Sequence, residues 1–330
     1  MVETIYASGL TPRLPYDWRL RGRVLQLGRR TLVMGVLNVT PDSFSDGGLY
    51  ASTSAAIDQG LRLLDEGADI LDIGGESTRP GATFVAPAEE LERVLPVLQA
   101  LRSRRPDAVL SIDTSKAQVA RAAVEAGADI VNDVSGLMWD SAMAAVCATA
   151  RCGVVASHSR GTPDAWAQLQ PLARDAVVPL VRGDLRDSLD RASRAGIARE
   201  AMVIDPGFGF GKRGEENFWL LAQLPELACF ARPIMVGLSR KSFLAQTPVK
   251  AGAAHGPPMA QARAAASVAA AVAAVLRGAH IVRAHDVQAT LEAVAVADAL
   301  LRTDRRENFR WPRAKVASPG AADVPAPSAG

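Results

Sequence analysis

One phrase occurs three times in this chain and narrows its fold more than any other feature. Glu66–Ile73 reads EGADILDI, Glu125–Val131 reads EAGADIV, and Arg277–Val282 reads RGAHIV. Each runs from a helical pattern through a glycine into an apolar run rich in β-branched residues. Gly67, Gly127 and Gly278 are placed to end a helix in the left-handed conformation and turn the chain into a strand. A repeated helix–turn–strand unit implies alternating β and α elements around a parallel sheet.

The same pattern predicts eight strands: Leu32–Val39, Asp69–Gly74, Val109–Asp113, Asp129–Val134, Gly153–Ser157, Ala201–Asp205, Pro233–Leu238 and His280–Ala284. Helical patterns lie between them, among them Pro87–Arg104, Lys116–Ala126, Ser141–Arg151 and Glu215–Phe230. Eight strands, each followed by a helix, predict a (β/α)8 barrel (a TIM barrel, class α/β), whose usual size is about 250 residues. A doubly wound open sheet is the alternative. It would usually carry a Gly-rich turn after its first strand. Here that place holds a long polar stretch, Asn38–Gly48, reading NVTPDSFSDGG. Strand-to-helix loops usually need about two to six residues, so its length points to a working loop.

The flanks divide off naturally. Residues 1–30 contain WRLRGRVLQLGRR, two short alternating runs around a glycine, which predict a β-hairpin closing the N-terminal mouth of the barrel. Residues 31–302 form the barrel. Residues 303–330 hold Pro, Ala and Gly with few large apolar side chains, and are expected to be a disordered tail.

Composition excludes several classes of function. The net charge is only +2 over 330 residues and no long basic run occurs, which argues against a nucleic-acid partner. The three cysteines (Cys147, Cys152 and Cys229) have no paired Cys/His spacing, so a disulfide framework and a zinc site are both disfavoured. Thiols of this kind suit a reducing cytosol, and the start of the chain has no signal-peptide pattern, so a cytoplasmic location is expected. Ala260–Ala279 is apolar but Ala-rich and interrupted by Arg263 and Arg277. It is expected to pack as a helix rather than span a membrane.

Chemistry-bearing residues collect where strands end. They are Asn38; Glu76 to Arg79; Asp113; Asn132 and Asp133; His158; Asp205 to Lys212; Ser239 to Lys241; and Arg283, His285 and Asp286. In a barrel these ends gather on one face, where active sites are built. Each residue also has a structural reading. Asp113 with Thr114 and Ser115 could simply cap a helix. Arg79 could be a solvated loop charge, and His158, His285 and His280 could be hydrogen-bonded structural groups, His280 above all.

Convergence favours a site. Asp113, Asn132 and Asp205 suit a flat, nitrogen-rich heterocycle, whose amino edge donates paired N–H bonds. Arg79, Arg283, His285 and Asn38 suit an anion, either directly or through a metal. The run Asp205–Lys212 has neither P-loop nor dinucleotide spacing. Its glycines are expected to let the backbone approach a flat ring, with Phe208 and Phe210 as apolar walls.

Seven motifs carry a resemblance to the dihydropteroate synthase family. They are MGVLNVTPDSFSDGG (Met34–Gly48), LDIGGESTRPGA (Leu71–Ala82), SIDTSK (Ser111–Lys116), IVNDVSG (Ile130–Gly136), DPGFGFGK (Asp205–Lys212), GLSRKSFL (Gly237–Leu244) and VRAHDV (Val282–Val287). The resemblance implies a (β/α)8 transferase of folate biosynthesis. Such an enzyme joins 6-hydroxymethyl-7,8-dihydropterin diphosphate to 4-aminobenzoate by an SN1-like displacement, with Mg²⁺. It implies that Asp113, Asn132, Asp205 and Lys241 hold the pterin. It assigns the diphosphate to Thr78, Arg79, Arg283 and His285, and Mg²⁺ to Asn38. Thr78, Pro80, Phe210, Ser239 and Lys241 would border the aminobenzoate, and Phe44 and Asp46 would lie on a mobile lid. Lys241, Arg283, Phe44 and Asp46 are the catalytic candidates. A homodimer and sulfonamide sensitivity are further implications. The chain departs from the family pattern at Ser157 and Ser159, which flank His158 where Met often stands.

Two other functions share the fold. A pterin-binding methyltransferase barrel would use similar Asp and Asn contacts but would not need Arg79, Arg283 and His285. A pterin-binding paralogue without turnover would keep the pocket and lose the reaction.

Overall fold

The computed structural model describes residues 10–40, 48–77, 84–246 and 259–304. A two-stranded antiparallel hairpin comes first, β1 (Tyr16–Leu20) and β2 (Arg23–Leu27). The tight turn between them needs Gly22, whose φ is +77°.

Eight parallel strands follow: β3 (Leu32–Asn38), β4 (Ile70–Gly74), β5 (Val109–Asp113), β6 (Ile130–Asp133), β7 (Gly153–Ser157), β8 (Met202–Asp205), β9 (Met235–Gly237) and β10 (Ile281–Ala284). After them come α1 (Gly48–Asp65), α2 (Pro87–Arg104), α3 (Ala117–Glu125), α4 (Met143–Ala150), α5 (Val177–Ala195), α6 (Gly214–Ala222), α7 (Met259–Leu276) and α8 (Val287–Asp304), one behind each strand. The spatial order is β8-β7-β6-β5-β4-β3-β10-β9. Its two ends meet through a parallel bridge between Ile204 and Ile234, so the sheet closes into the expected (β/α)8 barrel.

The recurring phrase does what its chemistry demands. Gly67, Gly127 and Gly278 have φ of +102°, +113° and +99°, a region that costs other residues energy. The strand limits shift by a residue or two from expectation. Pro233 has no N–H to give a ladder, and β9 begins two residues later. The helix expected over Glu215–Phe230 is broken. It ends at Ala222, and Leu224–Phe230 follows as a 3-10 turn with Pro225 near its start.

Alternate residues of each strand face opposite ways. Val33, Leu37, Leu71, Ile73, Leu110 and Ile112 face outward and pack under the helices in the larger core. Leu32, Met34, Ile70, Val109, Ile130, Val155, Val203, Met235 and Ile281 face the barrel axis, where Trp18, Leu20 and Leu27 of the hairpin cap them. Trp18 is fully buried and its Nε1 donates to Ala201 O at 2.9 Å. A methyl group at Gly153 would lie 2.3 Å from Leu20 Cδ2, so the hairpin sits directly on β7. The chain ahead of the hairpin is pinned too. Arg13 pairs with Asp298 of α8 at 2.5 Å, and Asp298 Oδ2 accepts from Thr31 N at 2.7 Å.

The Ala-rich segment forms α7, which lies against α8 with Ala270, Ala271, Ala274 and Val275 buried. No described helix is long and apolar enough to cross a membrane. Helix α8 runs to Asp304, and the remainder of the expected tail lies outside the described residues.

Candidate active site

The inward parity that fills the barrel floor with apolar groups becomes polar two residues further along. Above Ile70, Val109, Ile130, Val155, Val203 and Ile281 stand Asp72, Ser111, Asn132, Ser157, Asp205 and Arg283. Two residues further again come Asn38, Asp113, Ser239 and His285. Asn38, Asp113, Asn132, Asp205, Ser239, Arg283 and His285 thus share the axial parity, whereas Asp133 and His158 do not.

Arg283 is the hub. Its Nη2 donates to Asp113 Oδ2 at 2.6 Å and its Nε to Asp72 Oδ2, also at 2.6 Å. Asn132 Nδ2 donates to the same Asp72 oxygen at 2.9 Å. Burial opposes the charge on Arg283, but Asp72 and Asp113 outweigh it and hold its pKa above the ordinary value. Burial raises the Asp113 carboxyl above the usual carboxylate range, with Arg283 pulling the other way. Asp113 is not a helix cap. The first amide of α3, Ala117 N, instead donates to Asp140 Oδ2 at 2.8 Å.

Asp205 lies across the barrel mouth. Its Oδ1 accepts from Gly207 N at 2.8 Å and its Oδ2 from Ser157 Oγ at 3.2 Å. Ser157 thus adds a hydrogen bond to this carboxylate. Burial still raises the Asp205 pKa, although Gly207 N and Lys241 oppose it. Lys241 Nζ lies 3.8 Å from the centre of the Phe210 ring. Removal from water lowers its pKa to about 8, helped by Arg283 and resisted by Asp205 and Asp113. Ser239 Oγ accepts from His285 N at 3.2 Å and lies 3.0 Å from His285 Nδ1. Asn38 ends β3 half-exposed, level with Gly74 of β4.

The glycine-rich run differs from its expected use. A methyl group at Gly207 would lie 1.8 Å from His158 O, and one at Gly211 would lie 2.5 Å from Arg160 O. These glycines admit the chain's own backbone, not a ligand ring. Phe208 is not a wall of the site either. It is buried and stacks on Phe243 at 6.5 Å. Phe210 does border the site, between Lys241 and Trp166. Lys212 points under the loop, donating to Gly207 O at 2.7 Å and Phe210 O at 3.2 Å.

Three further groups prove structural. Asp133 has outward parity and accepts from Ser135 N and Leu137 N, both at 2.8 Å, shaping the turn after β6. His158 is buried with Nε2 3.0 Å from Asp184 Oδ2, and burial lowers its pKa to about 4. His280 Nδ1 accepts from Ile234 N at 3.2 Å near the barrel floor. Phe44 and Asp46, and likewise Thr78, Arg79 and Pro80, lie outside the described residues.

Two features escaped the sequence reading. Asp72 is fully buried and takes hydrogen bonds from two site residues. The signal was available, because an acid at inward parity inside ILDIG has no structural reason to be there. The second feature is a knot at the base of the β4–α2 connection. Glu76 Oε1 accepts from Val85 N at 2.8 Å, Glu76 Oε2 accepts from Lys116 Nζ at 2.8 Å, and Lys116 also pairs with the buried Glu90. It ties Glu76 and Val85 to Lys116 at the start of α3. A cleft of about 750 Å³ runs from Asp113 past Lys116 and Trp139 to Asp164.

Comparison with known proteins agrees with this geometry. The profile of the family described as "Pterin binding enzyme" matches residues 34–285. The dihydropteroate synthase of Synechocystis sp. is 44% identical over 287 residues, covering 87% of this chain and 93% of that protein. The Xanthomonas albilineans dihydropteroate synthase solved with 4-aminobenzoic acid is 45% identical, with a TM-score of 0.76 over 86% of this chain and 98% of that one. The same organism's enzyme in complex with 7,8-dihydropteroate is 41% identical, with a TM-score of 0.73 over 87% of this chain and 98% of that one. The axial Asp, Asn, Lys and Arg set, the closed barrel and these similarities agree: the chain belongs to the dihydropteroate synthase family, transferases of folate synthesis.

Proposed function

We propose that this chain condenses 6-hydroxymethyl-7,8-dihydropterin diphosphate with 4-aminobenzoate, giving 7,8-dihydropteroate and diphosphate. The observation that carries this reading is the axial ring of Asp113, Asn132 and Asp205 beside Lys241 and Arg283. Carboxylate and amide oxygens there accept from the N–H groups of the pterin edge. Lys241 and Phe210 border the pterin and the aminobenzoate, with Ser239 on the same rim.

The exocyclic C–O bond of the pterin breaks and diphosphate leaves with the bonding pair. The amine nitrogen of aminobenzoate then bonds to that carbon and loses a proton. Arg283 and His285 face the departing anion and offer N–H donors where negative charge develops. No covalent nucleophile is required. Asn38 offers a hard amide oxygen at the rim, a donor that fits Mg²⁺, which takes few protein ligands beside phosphate oxygens. Bound there, Mg²⁺ would neutralise charge on the diphosphate. Thr78 and Arg79 for diphosphate, Pro80 for aminobenzoate, and Phe44 and Asp46 over the reacting carbon complete the proposal.

A homodimer is proposed through α7 and α8, where Val296 and Leu300 are 57% and 48% exposed one helical turn apart. Sedimentation tests it, and a monomer at micromolar concentration refutes it. The three free thiols suit the cytoplasm.

The deciding experiment incubates the protein with the pterin diphosphate, aminobenzoate and Mg²⁺ and follows diphosphate release. Aminobenzoate-dependent release is expected. Its absence overturns the proposal, and tight pterin binding without release would leave the non-catalytic paralogue.

A further inference from the structure

An asparagine amide has two unlike sides, a carbonyl that accepts and an NH₂ that donates. The side that faces a ligand decides which chemical edge the residue reads. Asn132 is 4% exposed, its Nδ2 donates to Asp72 Oδ2 at 2.9 Å, and its Oδ1 has no partner among the described residues. Asp72 lies two strands away, on β4; on the intervening β5, Asp72 is level with Ser111 and Asn132 with Asp113. The same Asp72 oxygen takes Arg283 Nε at 2.6 Å.

We propose that Asp72 is a positioning residue that fixes the Asn132 amide with its carbonyl toward the ligand, so that Asn132 reads an N–H group. This rests on Asn132 being a pterin contact. A carboxylate paired with a guanidinium only accepts, so only the NH₂ side of the amide can meet it. Turning the amide over would set two acceptors against each other in a dry interior and forfeit a hydrogen bond. With Asp113 and Asp205, the site then presents three acceptors. It selects a heterocycle edge rich in amino and ring N–H groups, and rejects one bearing carbonyl oxygens there. Without Asp72 the amide, whose two sides are nearly the same size, is free to turn.

The test is a double-mutant cycle on binding of 6-hydroxymethyl-7,8-dihydropterin, measured by calorimetry, with circular dichroism melts as the folding control. Asp72→Asn and Asn132→Ala are each expected to weaken binding about tenfold, the effect of one lost hydrogen bond at a buried site. The double variant should fall within about threefold of Asn132→Ala, because the two residues act as one unit. Losses that multiply, or Asp72→Asn binding as tightly as wild type, overturn the proposal. Wild-type protein that binds no pterin would instead sink the reading of the site itself. Should Asp72→Asn not fold, nitrogen-15 spectra of the wild type decide. The Asn132 side-chain NH₂ signals, assigned by their loss in Asn132→Asp, should exchange slowly with or without pterin. Exchange that is fast in the free protein and slowed only by pterin means that the NH₂ side faces the ligand and overturns the proposal.

Discussion

Arg283 Nη2 lies 2.6 Å from Asp113 Oδ2, joining β10 to β5 across the mouth of the barrel between residues 170 positions apart. The pair occupies the carboxylate proposed to hold the pterin, so a ligand N–H competes with a guanidinium for Asp113. Asp72 keeps Arg283 from swinging away when it does.

Removing the hub should therefore affect more than binding. Arg283→Met leaves Asp72, fully buried, with no cation beside it. A stability loss of about 3 kcal/mol is expected, the usual cost of stranding one member of a buried pair. Urea denaturation checks it, and an unchanged midpoint would show that the pair contributes nothing to the fold.

Lys241 supplies a pH test. Its pKa is lowered to about 8, because burial and Arg283 both disfavour its charge. As pH rises through that value the folded protein loses the proton, while an unfolded lysine keeps it until about 10.5. The unfolded chain binds more protons across that window, so stability from this group rises with pH there. Turnover should move the opposite way and fall above about pH 8. Lys241→Arg keeps its charge, and its lower activity should be flat over the same range. A wild-type rate level to pH 10 would refute the assignment.

Asp205 should show the reverse limb. Its pKa is raised by burial, so it takes a proton at a higher pH than a solvated aspartate. Pterin affinity is expected to weaken on acidification before ordinary carboxylates titrate. Asp205→Asn should lose about tenfold or more in affinity at neutral pH, as a charge-assisted bond is lost. Calorimetry showing equal binding would make Asp205 a loop-holding residue only, through Gly207 N.

The knot at Glu76 predicts a split between kinetic constants. Glu76→Ala frees Val85 N and one bond of Lys116 at the base of the segment that carries Thr78, Arg79 and Pro80. The KM for aminobenzoate should rise about tenfold while pterin affinity stays within about twofold, since Asp113 and Asn132 keep their partners. Equal damage to both would argue for general loosening.

Sulfonamides test the second substrate. A sulfonamide should inhibit in competition with aminobenzoate and not with the pterin diphosphate. Steady-state inhibition patterns distinguish the two, and insensitivity at millimolar drug would count against the proposed pocket.

Much of this architecture was legible because it is written in local chemistry. Glycines at 67, 127 and 278 must take left-handed φ, and three of them in like context announce the repeat. The site was legible because Asn38, Asp113, Asn132, Asp205 and Arg283 all stand at or near strand C-terminal ends; their shared parity along the strands became plain only in the structure. What escaped depends on distance. Asp72 matters through Arg283, 211 positions away, and Lys116 through Glu76, 40 positions away. Phe208 and Phe210 look alike in DPGFGFGK, yet one turns into the core and the other toward Lys241. Gly207 was misread because the object that approaches it is His158 O, just past the end of β7.

The hairpin floor also has a history in time. Trp18 donates to Ala201 O, 183 positions on, and Arg13 waits for Asp298, 285 positions on. A chain made from its N-terminus holds the stopper before it has any vessel to close. Contacts that far apart are costly to form early. Trp18 and Leu20 can seat once β7 and Ala201 exist, whereas Arg13 meets its partner only when α8 is in place, so the segment ahead of the hairpin is expected to fasten after the hairpin itself.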